Sequence, residues 1–368
     1  MIKVTLTNEI LKYITEIEKN RYIVSEIPLS YDIANKLRKN SKKKSSYAST
    51  KIEGNPLTEK QVDEVIDSDE HKHYLKPEKE VRNYFLALNY LEEKSKKKEK
   101  FSKKLILDVQ KYVEKGASKE KIGLRGQMPP GVLFAVYDSQ SGNAEYIPPE
   151  YIDIPDLLDE LVDYVNHTDD HPLIVAAVVH YQIVTIHPFE DGNGRTARLL
   201  SGYILDLNGY GFNGIGSLEE YFAYDIDEYY KSIQMNLPPL YYSGRDNPPH
   251  PEIWINYFLR MVLLYSNKVK ELSQNSSGKE LEGSLSYLKD KEKSLLKFLL
   301  ESNTNQFTPI DISKNINVTN RTIINRLAVL TKNGFVVPNM EKQRIRYYEL
   351  SNFAKQHKEE ILNKIDKY

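Results

Sequence analysis

Apolar residues recur at helical spacing through most of this chain of 368 residues. Ile10, Leu11, Ile14 and Ile17 mark a first amphipathic helix. A second begins after Ser30 and stops at Gly54 and Pro56. Thr58 with Gln61 reads as a capping box opening a third. Val81, Phe85, Leu88 and Leu91 place another at about Glu78 to Glu93, and Leu105 to Val113 continues helically to Gly116. Pro155 to Asn166 is amphipathic, whereas Pro172 to Ile186 is apolar nearly all round, the mark of a buried helix. Ala197 to Leu207, Glu219 to Gln234 and Pro251 to Lys268 extend the helical series. The period changes between Arg125 and Pro149. There an apolar run, Val132 to Tyr137, a turn-rich stretch, Asp138 to Asn143, and Tyr146-Ile147-Pro148-Pro149 predict a hairpin.

Composition narrows the classes. Hydrophobic residues are 40% and charged residues 28%, as in an ordinary globular protein. No cysteine is present, which removes disulfide and thiolate chemistry and fits a reducing, cytoplasmic setting. Met1 to Lys12 lacks the apolar core of a signal peptide, and the longest apolar run, Leu173 to Val179, is too short to span a bilayer. No membrane association is expected. A net charge of −1 excludes a uniformly basic nucleic-acid binder. Lys42 to Lys44 reads as a solvated face, and Lys94 to Lys104 as an exposed turn.

The chemistry concentrates between His187 and Arg198. Gly192 and Gly194 flank Asn193 just before a helix, where backbone N–H groups and the positive end of the dipole form an anion site. Arg195 and Arg198 share one helical face and suit a polyphosphate. Asp191 fits such a cradle when Mg²⁺ bridges it to phosphate oxygens. His187 can accept a proton near neutral pH. His180, inside the buried helix, reads as a structural histidine.

The run His187-Pro-Phe-Glu-Asp-Gly-Asn-Gly-Arg-Thr-Ala-Arg198 resembles the signature of Fic (Fido-domain) proteins. The resemblance implies protein adenylyltransfer, with AMP passing from ATP to a Ser, Thr or Tyr hydroxyl. It implies His187 as catalytic base, Asp191 as Mg²⁺ ligand, Gly192, Asn193 and Gly194 as the α-phosphate nest, and Arg195 and Arg198 on the outer phosphates. Phe189 would be a core anchor. Ser49 to Gly54 resembles the family's inhibitory helix, Ser/Thr-x-x-x-Glu-Gly/Asn, in the class where it precedes the motif. Ser49, Glu53 and Gly54 are then inhibitory, and Glu53 pairs with Arg198 beside the ATP site. The hairpin at about 125–149 takes the place of the family's flap, which aligns a target segment by strand addition. Tyr224 and Tyr229 fall in the helix that helps form the adenine pocket, although Asp225 and Ile226 stand where relatives often show Asn and a basic residue.

The expected fold is mostly α. A Fic-type helical core with a small β-hairpin flap spans 81–270, after an N-terminal helical segment at 1–80 carrying the inhibitory helix. Ser273 to Ser284 is rich in Ser, Gly and charge and predicts a linker at 271–285. In 286–368, Leu295 to Leu300, a short helix from Thr308-Pro309-Ile310, a helix at Thr319 to Thr331, and strands at Phe335 to Val337 and Ile345 to Tyr348 resemble a winged helix-turn-helix. From Ser284 on, 15 Lys/Arg against 9 Asp/Glu give a local charge of about +6, so DNA is a candidate partner through Arg321, Arg326, Lys342, Arg344 and Arg346. Self-modification and a homodimer are further expectations. Two other readings stand beside transfer: a hydrolase removing AMP at the same site, and a DNA-binding regulator with a nucleotide-sensing domain.

Overall fold

The computed structural model describes every residue except 1, 28, 30, 69–72, 119–121, 138–141, 143, 236, 238–247, 249, 303, 305, 342–343 and 367–368, and describes the backbone alone at 31, 278–280, 341 and 344. The chain divides into two compact units, one of residues 1–24 and 34–270, the other of 25–33 and 271–368.

The first unit is helical. Its elements are α1 (Asn8–Glu26), α2 (Tyr31–Ile52), α3 (Glu59–Asp67), α4 (Lys76–Lys96), α5 (Lys103–Glu114), β1 (Val136–Tyr137), β2 (Ala144–Tyr146), α6 (Ile154–His167), α7 (Pro172–Ile186), α8 (Asn193–Leu207), α9 (Glu219–Tyr224), α10 (Ile226–Gln234) and the first part of α11 (Pro251–Ser286). Helix α7 is the centre, buried from Leu173 to Ile183 on every side. An apolar surface without a polar stripe has nowhere else to go. Helix α8 lies along α7 and is also packed by α4 and α5. Trp254 of α11 closes the far side: its Nε1 donates to the Ala177 carbonyl at 2.8 Å, and its ring stacks on His180 at 4.8 Å.

Helix α2 is held differently. Ser41, Ser45 and Ser49 recur every four residues, so they line one face, and all three are buried. Ser41 Oγ accepts from the Gly216 N–H at 2.6 Å, Ser45 Oγ donates to Glu219 at 2.7 Å, and Ser49 Oγ accepts from Arg198 Nε at 2.8 Å. Small hydroxyls let the backbone approach closely while satisfying the buried polar groups they meet. The helix closes on a Schellman motif. The Asn55 N–H returns to the Thr50 carbonyl at 3.1 Å and the Gly54 N–H to Lys51 at 2.9 Å, with Gly54 at φ +81°. Glu53 is thereby the C-cap, its direction set by the turn.

The second unit holds the remainder of α11, then α12 (Asp290–Glu301), α13 (Pro309–Ile316), α14 (Asn320–Lys332), β3 (Val336–Glu341), β4 (Arg344–Leu350), α15 (Asn352–Gln356) and α16 (Lys358–Ile365). Helices α12 to α14 are followed by an antiparallel ribbon of β3 and β4, around Leu295, Leu299, Ile323, Leu327 and Phe335.

Several expectations change. The stretch 271–285 is helical, because α11 runs unbroken to Ser286, so its Ser and Gly content does not make a loop. Glu219 to Gln234 is two helices, broken at Asp225, whose side chain caps α10 through the Glu228 N–H at 2.9 Å. Lys42 and Lys43 are largely covered and pair with Glu92 and Asp67, because neighbouring helices supply carboxylates. Lys94 to Lys96 belong to α4. Among the described residues of the hairpin, 136–137 and 144–146 are strands. Helices α15 and α16 were not expected from the pattern. Ser30, Lys342, most of the turn 138–143 and the Arg344 side chain lie outside what is described. No helix is long and apolar enough to cross a membrane among the described residues.

Trp254→Ala should cost about 3–5 kcal/mol by denaturant unfolding, since it leaves a large cavity beside α7 and removes the Nε1 hydrogen bond to the Ala177 carbonyl. A loss below about 1 kcal/mol would show that the α7 core collapses around the gap.

Candidate active site

His187 ends α7 in the left-handed region, at φ +48° and ψ +57°. A histidine tolerates this better than most residues, and the turn swings the chain out of the core. The loop beyond it is stapled at both ends. The Phe189 N–H donates to Asn193 Oδ1 at 3.0 Å, and Asn193 Nδ2 returns to the Phe189 carbonyl at 2.9 Å. Phe189 is fully buried, as its role of core anchor requires. Asn193 is therefore the clamp of the loop, with its side chain turned inward. Gly192 stands at φ +81° as the N-cap of α8, and Asn193 and Gly194 open the helix. The N–H groups of Asn193 and Gly194 are N-terminal orphans that make an anion site.

The imidazole is oriented by backbone. His187 Nδ1 lies 3.2 Å from the Val184 carbonyl. A carbonyl only accepts, so Nδ1 carries the proton and Nε2 presents a lone pair. Burial lowers the imidazole to about 4 from its usual 6.5, and the neighbouring Arg125 guanidinium adds to the effect. At neutral pH the ring is an uncharged acceptor.

Arg125 is a residue the sequence did not single out. It is buried, its Nε donates to the His187 carbonyl at 2.8 Å, and its Nη2 donates to the Pro149 carbonyl. Its own N–H bonds the Pro188 carbonyl at 2.9 Å, and its guanidinium lies 4.8 Å from the Phe134 ring centre. Tyr146 of β2 donates to the Thr185 carbonyl at 2.5 Å. The hairpin is thus tied to the end of α7, beside His187. No local pattern marked Arg125, because its partners are carbonyls far along the chain.

The arginines are buried rather than extended into solvent. All three nitrogens of Arg198 are engaged. Nε goes to Ser49 Oγ, Nη2 to the Ser49 carbonyl at 3.0 Å and to Glu53 Oε1 at 2.6 Å, and Nη1 to the Tyr229 hydroxyl at 3.2 Å. The Glu53 carboxylate also lies over the nest: a Cβ on Gly194 would sit 2.4 Å from Glu53 Oε1. Arg195 Nη2 lies 2.9 Å from Glu114 and 3.1 Å from Asp191. Its Nε and Nη1 are buried without a hydrogen-bond partner. Asp191 also accepts the Gly192 N–H at 2.7 Å and remains partly exposed at the edge of the nest.

Of the two tyrosines, Tyr229 joins the cluster, accepting from Arg198 and meeting His180 Nε2 at 3.1 Å. Tyr224 is 92% exposed and touches none of it, because the break at Asp225 puts the two on separate helices. His180 is buried, stacked and held far below its ordinary range by burial, as a structural histidine should be.

Residues 100–205 match the model of the Fic/DOC family. The chain is 30% identical over 176 residues to a protein adenylyltransferase Fic of Drosophila willistoni, covering 45% of this chain and 32% of that one. It is 46% identical over 66 residues to protein adenylyltransferase fic-1 of Caenorhabditis elegans, covering 17% and 13%. The chain spans about a third of the length of the curated relatives it matches. A Fic family protein from Desulfovibrio desulfuricans superimposes with a TM-score of 0.59 at 19% identity, over 96% of this chain and 98% of that one. Fic-1 from C. elegans gives 0.55 at 22%, over 73% and 74%. The chain carries a Fic/DOC domain, and its fold is that of Fic proteins.

The His187 ring should titrate near pH 4 by NMR, not near 6.5. The unfolded chain takes up this proton first, so the neutral ring contributes stability above pH 6.5 that is lost as pH falls towards 4. A midpoint above 6 would mean that the imidazole is not desolvated.

Proposed function

We propose that this chain transfers AMP from ATP to a Ser, Thr or Tyr hydroxyl of a protein, itself included, and that Glu53 restrains it. The observation that carries the proposal is one loop holding a neutral imidazole, an N–H nest and two buried arginines, one of them with unpartnered donors. The names of the relatives agree with it.

The hydroxyl gives its proton to His187 Nε2 as its oxygen attacks the α-phosphorus. The bond from α-phosphorus to the bridging oxygen breaks, and pyrophosphate leaves. The amides of Asn193 and Gly194 and the guanidiniums of Arg195 and Arg198 take up phosphate charge, so positioning and electrostatics supply most of the rate. Asp191, a single carboxylate at the edge of an anion nest, suits Mg²⁺ shared with phosphate oxygens. That ion would neutralise the triphosphate. Among the described residues no cluster of His, Asp and Glu could cage a metal alone, so the nucleotide would complete its coordination. The short edge at 136–137 and 144–146, tied to α7, is where a target segment would be laid.

Glu53 acts against this. Its carboxylate fills the space over Gly194 and occupies the Arg198 nitrogen that an outer phosphate would take. ATP binding at such a site leaves the α-phosphate out of line. The same carboxylate over the nest suits a second reading, in which it orients a water to release AMP from a modified protein.

Incubation with ATP, Mg²⁺ and cell extract should add the mass of one AMP to the chain or to a target, and His187→Ala should lower that rate by about 10²–10⁴-fold while sparing ATP binding. A phosphate-sized increase would overturn the AMP assignment, and retained transfer would place the base elsewhere.

Glu53→Gly should raise self-modification roughly a hundredfold with the helical fold retained by circular dichroism, and adding Arg198→Ala should remove the gain. An unchanged rate would return Glu53 to a plain helix end. Loss of AMP release from a modified target would favour the hydrolytic reading.

A further inference from the structure

Glu219 lies outside every motif, at the first position of α9, and is buried. Among the described residues its partners are hydroxyls. Ser45 Oγ of α2 donates to it at 2.7 Å, the Tyr84 hydroxyl of α4 at 2.9 Å and Ser217 Oγ at 3.2 Å. Burying a carboxylate is costly, and hydrogen bonds to one are the stronger, charge-assisted kind. The dock it forms belongs to the core. Tyr84 holds it from α4, and the turn before α9 lies tight on α11: a Cβ at Gly216 would sit 2.7 Å from Val269 and 2.9 Å from Tyr265. Helix α2 is the part that depends on the dock. Among the described residues, five of its buried side chains are Ser or Thr, and Ile52 alone is a large apolar one. Little apolar area therefore holds this helix, and hydrogen bonds decide where its end sits. Ser45 stands one turn before Ser49 and two before Glu53, on the same face.

We propose that Glu219 is a positioning residue: through Ser45 it docks α2 on the core, and so seats Glu53 over Gly194 and against Arg198. The inference rests on the reading of Glu53 as a restraint. The hydroxyls that meet Glu219 come from α2, α4 and its own turn, not from the nest, so its effect on transfer runs through the helix. Without the bond from Ser45 the end of α2 lifts more often. Arg198 is then released to an outer phosphate, and the Glu53 carboxylate leaves the space over the nest.

The test uses Ser45→Ala in the full chain, which removes the bond from the α2 side and leaves Glu219 with Tyr84 and Ser217. Amide hydrogen exchange should quicken about tenfold from Ser45 to Glu53 while α7 stays protected, and self-modification with ATP and Mg²⁺ should rise about tenfold. Glu219→Ala should quicken the same amides, and combining it with Ser45→Ala should give no more than either alone. If Glu219→Ala fails to fold, Ser45→Ala decides alone. In a Glu53→Gly background Ser45→Ala should add nothing, since no carboxylate remains to be seated. Unchanged exchange in Ser45→Ala would overturn the proposal, because the bond would not then hold the helix. A further gain in the Glu53→Gly background would also overturn it, since Ser45 would then act on something other than Glu53. So would quickened exchange without a gain in transfer where Glu53→Gly itself gives one. Where Glu53→Gly is silent too, the failure is that of the restraint by Glu53, a separate result.

Discussion

The architecture of the site depends on a buried guanidinium. Arg198 is 2% exposed, and a charge so placed must be met by hydrogen-bond partners. Three partners do this: Ser49, Glu53 and Tyr229, from α2, the turn after it and α10. The need for partners fixes how close α2 must come, and the serines at 41, 45 and 49 permit that approach. A larger residue on that face would hold the helix off. The Schellman turn at Gly54 then sets where Glu53 points, which is over Gly194. A helix formed nearly 150 residues before the motif thereby becomes part of its wall.

The second constraint is the rigidity of the loop. It is carried between α7, which has no solvent face, and α8, which is packed by three helices. The reciprocal bonds between Phe189 and Asn193 close it, and Arg125 braces it from the hairpin side. The groups that would meet a nucleotide are then held before one arrives. The desolvation that packing brings is also what keeps His187 neutral, so the same burial that orients the base sets its charge. Burial also raises the Glu114 carboxyl, which the Arg195 charge opposes.

Much of this was legible in the residue pattern. The all-apolar period of 172–186 gave a central helix with its observed ends, and Thr58 with Gln61 forms the capping box read from them. The order of His187, Asp191, Gly192, Gly194, Arg195 and Arg198 announced a base beside an anion nest, because each of those chemistries depends on near neighbours in sequence. Ser49 to Gly54 announced a helix end carrying a carboxylate. Where composition spoke for loops, it misled: 271–285 is helical although rich in Ser and Gly, since isolated residues of those types weaken a helix without ending it.

What the chain order could not give were the partners. Arg125, Glu114 and Glu219 carry no local signature, since each meets groups between 60 and 175 residues away in the folded chain. The break at Asp225, which sends Tyr229 inward and leaves Tyr224 in solvent, came from a cap competing successfully with helix continuation. The identity of the reactive groups is a property of short-range spacing and was present in the sequence. Their protonation, their pairing and the carboxylate seated over the nest are properties of desolvation and long-range contact, which exist only once the helices have packed.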